Sequence, residues 1–202
     1  WFGARGRIIS DGLNVGGALQ CKVNEDGAVS VVKHHAHPDF PYYVTALTQA
    51  PDNILWVGST RVYQLEENSS AAQPLPPLGG ENSAALTGGP DQAVWLAKEH
   101  KGVCRWQEGG WSVFGIEEGL PSLNLTDLLW LRDGSLLVSS DKGISRFDGV
   151  SWTPYAYPSW FAMSYRWSGM KQSKDDSIWF NYIQGEMLAL STVKNVDGFC
   201  TI

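Results

Sequence analysis

Apolar positions along this chain fall in runs of four to eight residues, cut short by Gly and Asp, and the runs recur on a period. Four segments share one pattern: Asp, two loose positions, an apolar residue, then Trp or Leu. They are Asp52-Asn53-Ile54-Leu55-Trp56, Asp91-Gln92-Ala93-Val94-Trp95, Asp133-Gly134-Ser135-Leu136-Leu137 and Asp175-Asp176-Ser177-Ile178-Trp179. The anchors Trp56, Trp95, Leu137 and Trp179 are spaced by 39, 42 and 42 residues. Trp1-Phe2-Gly3-Ala4 reads as a further copy, which puts repeat anchors near 1, 56, 95, 137 and 179. A second apolar element follows each anchor: Cys21-Lys22-Val23, Gln64-Leu65, Cys104-Arg105-Trp106, Ser145-Arg146-Phe147 and Ala189-Leu190. From each of the first four the next anchor lies 30 to 33 residues on, so the units are built alike.

A period near 40 made of short strand-like runs and turn residues predicts an all-β chain, a β-propeller of four-stranded antiparallel blades. A helical solenoid would need apolar residues at i, i+3 and i+4 over ten or more positions, which these runs lack. Within one unit the four strands are Asn124–Arg132, Ser135–Ser140, Ile144–Phe147 and Ser151–Tyr155. Asp133-Gly134, Asp141-Lys142-Gly143 and Asp148-Gly149 are the turns, with Gly143 expected at positive φ. Strand one of the last blade is expected through Tyr165–Trp167. The anchors fill the wedge between blades, and Trp111 and Trp152 form a second structural series on strand four. Only the first hairpin is long, and its extra residues within Arg5–Ala18 read as a loop. The units sum to about four and a half blades, so residues 1–202 are expected to form one propeller arc, part of a larger propeller. An open arc exposes two apolar blade faces and favours association.

Composition fits this reading. Gly supplies 22 of 202 residues, above the usual ~7%, and Trp supplies 10; the repeat places the Trp at anchors and the Gly at turns. Lys and Arg number 15 against 21 Asp and Glu, a net charge of −6. That argues against a phosphate grip on nucleic acid and against a polybasic membrane patch. No run of about 18 apolar residues is present to span a bilayer. The chain starts at Trp1 with no charged and apolar leader, so a targeting signal is expected to be absent or removed.

The segment Glu118-Gly119-Leu120-Pro121-Ser122, then Asp133-Gly134-Ser135-Leu136-Leu137-Val138-Ser139-Ser140, then Gly143-Ile144-Ser145-Arg146-Phe147-Asp148-Gly149 resembles one two-component regulator propeller repeat. That family runs Gly-Leu-Pro-Ser, then Asp-x-Gly-x-Leu-Trp-x-Gly-Thr, then Gly-Leu-x-Arg-Phe-Asp. Leu137 stands where the family has Trp, while Trp56-Val57-Gly58-Ser59 keeps the Trp-x-Gly-Ser core. The period covers most of the chain; the close match covers Glu118–Gly149. The resemblance implies a periplasmic or extracellular ligand-sensing domain of a bacterial signal-transduction receptor. Its partners would be a small-molecule or oligosaccharide ligand and the remaining blades or a downstream signalling domain.

Candidate chemistry lies in the blade-connecting loops, which ring the mouth of a propeller. His34-His35-Ala36-His37 and Asp39 gather imidazoles, and His35 and His37 would share one strand face; they are weak candidates for a metal, and a solvated loop is the plainer reading. Tyr42, Tyr43, Tyr157 and Trp160 offer flat aromatic faces suited to stacking on sugar rings, and His37 and Asp39 join them as ligand-binding candidates. Ser139-x-Asp141-x-Gly143-x-Ser145 resembles the Asp-box of sialidase-type propellers, save that Arg146 replaces its final aromatic; that box is a structural turn. No catalytic residue and no cofactor site is identified, so the chain is read as a non-enzyme sensor. A protein-interaction scaffold stands as the alternative, with a propeller hydrolase or lyase behind it. Cys21 and Cys104 fall at one repeat position, too far apart to pair, and are expected to be small buried residues; Cys200 is expected near a frayed end.

Overall fold

The computed structural model describes residues 2–4, 17–36, 44–49, 53–66, 69, 71–79, 83–157, 169–184 and 187–193. Within them the chain forms five antiparallel sheets in sequence order. The first holds β1 (Phe2–Ala4), β2 (Gly17–Val23) and β3 (Val29–Ala36). The second holds β4 (Ala46–Gln49), β5 (Leu55–Gly58), β6 (Val62–Leu65) and β7 (Gln73–Pro74). The third holds β8 (Ser83–Gly88), β9 (Val94–Lys98), β10 (Gly102–Gln107) and β11 (Gly110–Phe114). The fourth holds β12 (Leu125–Trp130), β13 (Leu136–Ser140), β14 (Gly143–Phe147) and β15 (Trp152–Ala156). The fifth holds β16 (Met170–Gln172), β17 (Ile178–Gln184) and β18 (Met187–Val193). Each sheet is a meander, every strand pairing with its sequence neighbours. The four strands expected around residues 124–155 appear within one or two residues of their expected ends. Strand one of the fifth sheet is Met170–Gln172, and residues 165–167 lie outside the described residues.

The second strand of each complete sheet is buried at every position: Leu55–Gly58, Val94–Lys98 and Leu136–Ser140. These strands are sandwiched between neighbouring sheets, so their apolar residues run on without alternating. Alternate side chains serve opposite junctions. Leu55 and Val57 pack with Ala18 and Val44 toward the first sheet, while Trp56 packs with Val94, Leu96 and Cys104 of the third. Trp95 points the other way from Val94, into the fourth sheet with Leu125, Leu136, Val138 and Trp152. Leu137 meets Met170 and Ile178 of the fifth. Trp56, Trp95 and Leu137 are each the second residue of their second strand, and each packs on the sheet that follows it. Trp95 is boxed by Phe114, stacked at 5.7 Å, Phe147 at 5.3 Å, Trp130 at 5.8 Å and Trp152 at 6.4 Å. Trp111 is half-buried against Trp106 at 4.9 Å, and its indole N–H donates to the Pro76 carbonyl. Trp179 differs, being 41% exposed on the outer face of the fifth sheet.

First strands of successive sheets also touch one another: β4 with β8, β8 with β12, β12 with β16. Between β12 and β16 the contact is a hydrogen bond from the Met170 N–H to Asp127 Oδ2, 2.6 Å. Asp127 follows a bulge at Thr126, where the register slips between Leu125 and Asp127. On the other side of that sheet's turns, Arg132 reaches Gln172, Ser173 and Asp176 of the fifth sheet.

Two expectations need correction. Gly143 is not at positive φ; a Cβ there would stand 2.4 Å from the Tyr155 carbonyl oxygen on β15, so close approach demands the glycine. Cys21 and Cys104 do not share a repeat position. Cys104 is the third residue of β10 and buried, whereas Cys21 is the fifth residue of the longer β2 and half-exposed.

Candidate functional site

The meander sorts every connector to one of two ends. Turns between first and second strands, and between third and fourth, share one end. Hairpins between second and third strands share the other end with the crossings from sheet to sheet.

The first end repeats itself. Asp91, Asp133 and Asp175 each accept the N–H two residues on, from Ala93, Ser135 and Ser177. The residue after the signature Asp is at positive φ in all four units: Asn53 at 65°, Gln92 at 61°, Gly134 at 84° and Asp176 at 66°. In two sheets the same Asp also holds an Arg on the third strand: Asp91 with Arg105 at 2.6 Å, Asp133 with Arg146 at 2.8 Å. Those arginines are the cross-strand partners of the anchors Trp95 and Leu137, and Arg105 lies 5.4 Å over the Trp95 ring. Hydrogen bonds from Ser135, helped by Arg146, keep Asp133 below the usual carboxylate range. Ser173 and Ser177 hold Asp175 down to about 2.

The opposite end changes from unit to unit. Ser83 donates to the Ser59 carbonyl at 3.0 Å, and Lys98 donates to the Thr60 carbonyl at 2.7 Å; Lys101 donates to the Leu78 carbonyl. Lys98 is buried, and burial lowers the pKa of its ammonium. The neighbouring Cys104 thiol is pushed up to about 12 by burial. In the fourth sheet Ser140 replaces Lys98, and its hydroxyl accepts the Lys142 and Gly143 N–H groups at 3.2 and 3.1 Å. Asn124 at the mouth of β12 donates to Asp141 Oδ2 at 3.1 Å. Asn124 and Lys142 are exposed, and Asp141 is half-buried between them. This group offers a carboxylate, an amide and an ammonium within one hairpin and the crossing beside it, a set that can hydrogen-bond a polar, hydroxyl-rich ligand.

Tyr42, Tyr43, His37, Asp39 and Trp160 lie outside the described residues. Tyr157 is at this end, packed against the Leu137, Ile144 and Met170 cluster. Burial raises its phenol pKa, while the Ser140 backbone nearby opposes the shift. Its hydroxyl is therefore turned into the protein, away from a ligand in solution. His35 is buried at the end of β3, and burial, then the charges of Lys33 and His34, lower its pKa. Among the described residues no three His, Cys, Asp or Glu are grouped to hold a metal ion. No described helix is long and apolar enough to cross a membrane. Asn124 and Lys142 escape a motif search because they lie outside the Asp-to-Trp signature, although both recur one unit earlier in the sequence: Asn82 precedes Ser83 as Asn124 precedes Leu125, and Lys101 precedes Gly102 as Lys142 precedes Gly143.

No family model matches the chain, and no curated protein does. Solved structures do. A virginiamycin B lyase from Staphylococcus aureus, in an inactive variant with quinupristin, is 14% identical and superposes with a TM-score of 0.61 over 94% of this chain and 69% of that one. The extracellular domain of a hybrid two-component system from B. thetaiotaomicron is 16% identical, with a TM-score of 0.62 over 79% of this chain and 23% of that one. A gluconolactonase from Xanthomonas campestris is 16% identical, with a TM-score of 0.58 over 86% and 65%. The fold is a β-propeller. Likeness at this identity speaks to fold alone, and the propeller carries sensors and enzymes alike.

Proposed function

We propose that this chain is the ligand-recognition propeller of a bacterial signal receptor, acting outside the cytoplasm. Ligand binds the end where sheet-to-sheet crossings and second hairpins gather. The observation that carries the reading is the division of chemistry between the two ends. At the turn end the repeat residues are spent on construction: the Asp caps, the positive-φ turn and the Asp–Arg pairs. The signature residues that resemble the two-component regulator repeat are likewise structural. The Ser145 hydroxyl donates to the Gly119 carbonyl at 2.8 Å, Leu120 is buried, and a Cβ on Gly119 would meet Trp152. Among the described residues the crossing end carries none of those Asp caps and Asp–Arg pairs, and a rigid scaffold whose loops are free of construction is how folds host specificity.

Asn124, Asp141 and Lys142 suit an oligosaccharide or another polyol, with the aromatics Tyr42, Tyr43 and Trp160 of the crossings supplying stacking faces. Binding would shift the population of receptor arrangements in proportion to its preference for one of them. A glycan array probed with the labelled chain tests this; saturable binding to one glycan class is expected. An array without a binder, beside a protein recovered reproducibly by pull-down, would favour the scaffold reading, which the exposed valines of β2 and β3 support.

A further inference from the structure

Cations meet different partners at the two ends of the sheets. Among the described residues every ion pair lies at the turn end: Asp91 with Arg105, Asp133 with Arg146 and Asp176 with Arg132, at 2.6, 2.8 and 2.5 Å. At the crossing end no described cation meets a described carboxylate. The Lys98 ammonium donates to the Thr60 carbonyl at 2.7 Å and the Lys101 ammonium to the Leu78 carbonyl, both uncharged acceptors. Arg61 and Lys142 are exposed, and neither is ion-paired among the described residues. The carboxylates of this end are placed elsewhere. Asp141 accepts from Asn124, Glu118 accepts the Gly115 N–H at 2.5 Å, and neither Glu99 nor Glu117 forms an ion pair with a described residue.

Three of these cations share one repeat position. Arg61, Lys101 and Lys142 each stand immediately before the third strand of their sheet, which opens at Val62, Gly102 and Gly143. They are 40 and 41 residues apart and fall in three successive sheets. In the sequence the matching positions of the first and fifth sheets are Gly16 and Glu186, so the row is confined to the middle three. Lys98 is buried and adds its charge beneath the Ser59–Arg61 hairpin, where it holds the Thr60 carbonyl. A single surface cation is ordinary. A row of them at one repeat position, with no carboxylate to neutralise it, leaves positive charge for an incoming anion.

We propose, on the reading of the crossing end as the recognition end, that its ligand is an acidic oligosaccharide whose carboxylate or sulfate groups are held by Arg61, Lys101 and Lys142. Arg61 supplies a planar fork that grips such a group through two N–H donors. Lys142 supplies a point charge, and Lys101 keeps two ammonium donors beyond the one given to Leu78. Asn124 and Asp141 are left to the sugar hydroxyls. One cation per sheet suits an anion that repeats along a chain.

Isothermal titration of oligogalacturonate against its methyl ester tests this, because esterification removes the charge and keeps the ring hydroxyls. Dextran sulfate against dextran is the second arm and separates sulfate from carboxylate. One acid is expected to bind at least about tenfold more tightly than its neutral counterpart, with an affinity that falls as salt rises. Arg61→Ala and Lys142→Ala, at exposed positions, are each expected to weaken it at least about threefold. Lys174→Ala removes the same charge from an exposed turn of the fifth sheet and is expected to leave it unchanged. Equal binding of acid and neutral forms, both weakened by Asn124→Ala, would overturn the acidic assignment and keep the recognition end. A loss from Lys174→Ala equal to that from Arg61→Ala would also overturn it, as attraction by net charge alone. Failure of all four glycans to bind would overturn it together with the oligosaccharide reading.

Discussion

One residue type, the Asp that opens each repeat, does three jobs. At Asp91, Asp133 and Asp175 it caps its own turn, it precedes a positive-φ residue, and in two sheets it neutralises an Arg lying beside the anchor. Its first job is predictable from sequence, because Asx turns need a side-chain oxygen two residues before a free N–H. The positive φ is less legible, since only Gly134 among the four following residues is glycine. Gln92 carries a Cβ into that region, which costs a non-glycine residue about 1–2 kcal/mol. Gln92→Gly is expected to raise stability by about 0.5–1 kcal/mol in urea unfolding, part of the relief being offset by the freer unfolded chain. Gly143 shows the opposite lesson. Its sequence context suggests a turn glycine, yet the constraint is the Tyr155 carbonyl on the next strand. Gly143→Ala is expected to lose about 1–3 kcal/mol by overpacking, read as a lower urea midpoint with an unchanged slope.

The same acids set a pH response. Asp133 and Asp175 have folded pKa values below their unfolded ones. The stability they contribute is fully present above the unfolded value near ~3.9 and is lost as pH falls through the folded value. Melting temperature should therefore drop between pH of roughly 4 and 2, and Asp175→Asn should flatten part of that drop. Asp127 has the reverse sign. Burial raises its pKa, so its ionisation costs stability as pH rises, opposed by N–H donors from Met170 and Leu128.

At the scale of elements, the second strands carry the fold. Their continuous apolar runs are legible because a strand covered on both faces cannot alternate. Leu137→Ala is expected to cost about 2–5 kcal/mol, since the side chain is fully buried among Ile144, Met170 and Ile178. Asp127→Ala removes the acceptor between β12 and β16, leaving the Met170 N–H without it, for about 1–3 kcal/mol in the same unfolding assay. Strand length was harder to read. β2 runs beyond the repeat, which moves Cys21 out of register with Cys104 and into a half-exposed place. Iodoacetamide on the native protein near pH 8 is accordingly expected to label Cys21 and spare Cys104, whose thiol is both buried and held protonated. Peptide mass mapping distinguishes the two sites.

At the scale of the molecule, the propeller followed from the period, because a repeat of 39 to 42 residues with four short strands per unit leaves few other architectures. The proposed recognition end did not follow, because Asn124, Asp141 and Lys142 lie outside the Asp-to-Trp signature that makes the repeat visible. The aromatic residues of the crossings stand out by composition, but Tyr157 shows that an aromatic there can belong to the core.

The central claim is that one end of the sheets builds and the other recognises. Isothermal titration of the glycan-array ligand into variants from both ends tests it most directly. Asn124→Ala and Asp141→Asn at the crossing end are expected to weaken binding at least about tenfold, or about 1.4 kcal/mol. Val150→Ala, at an exposed turn of the construction end, is expected to leave affinity unchanged. Equal affinity for Asn124→Ala, Asp141→Asn and the unmodified chain, or a loss confined to Val150→Ala, would contradict the account.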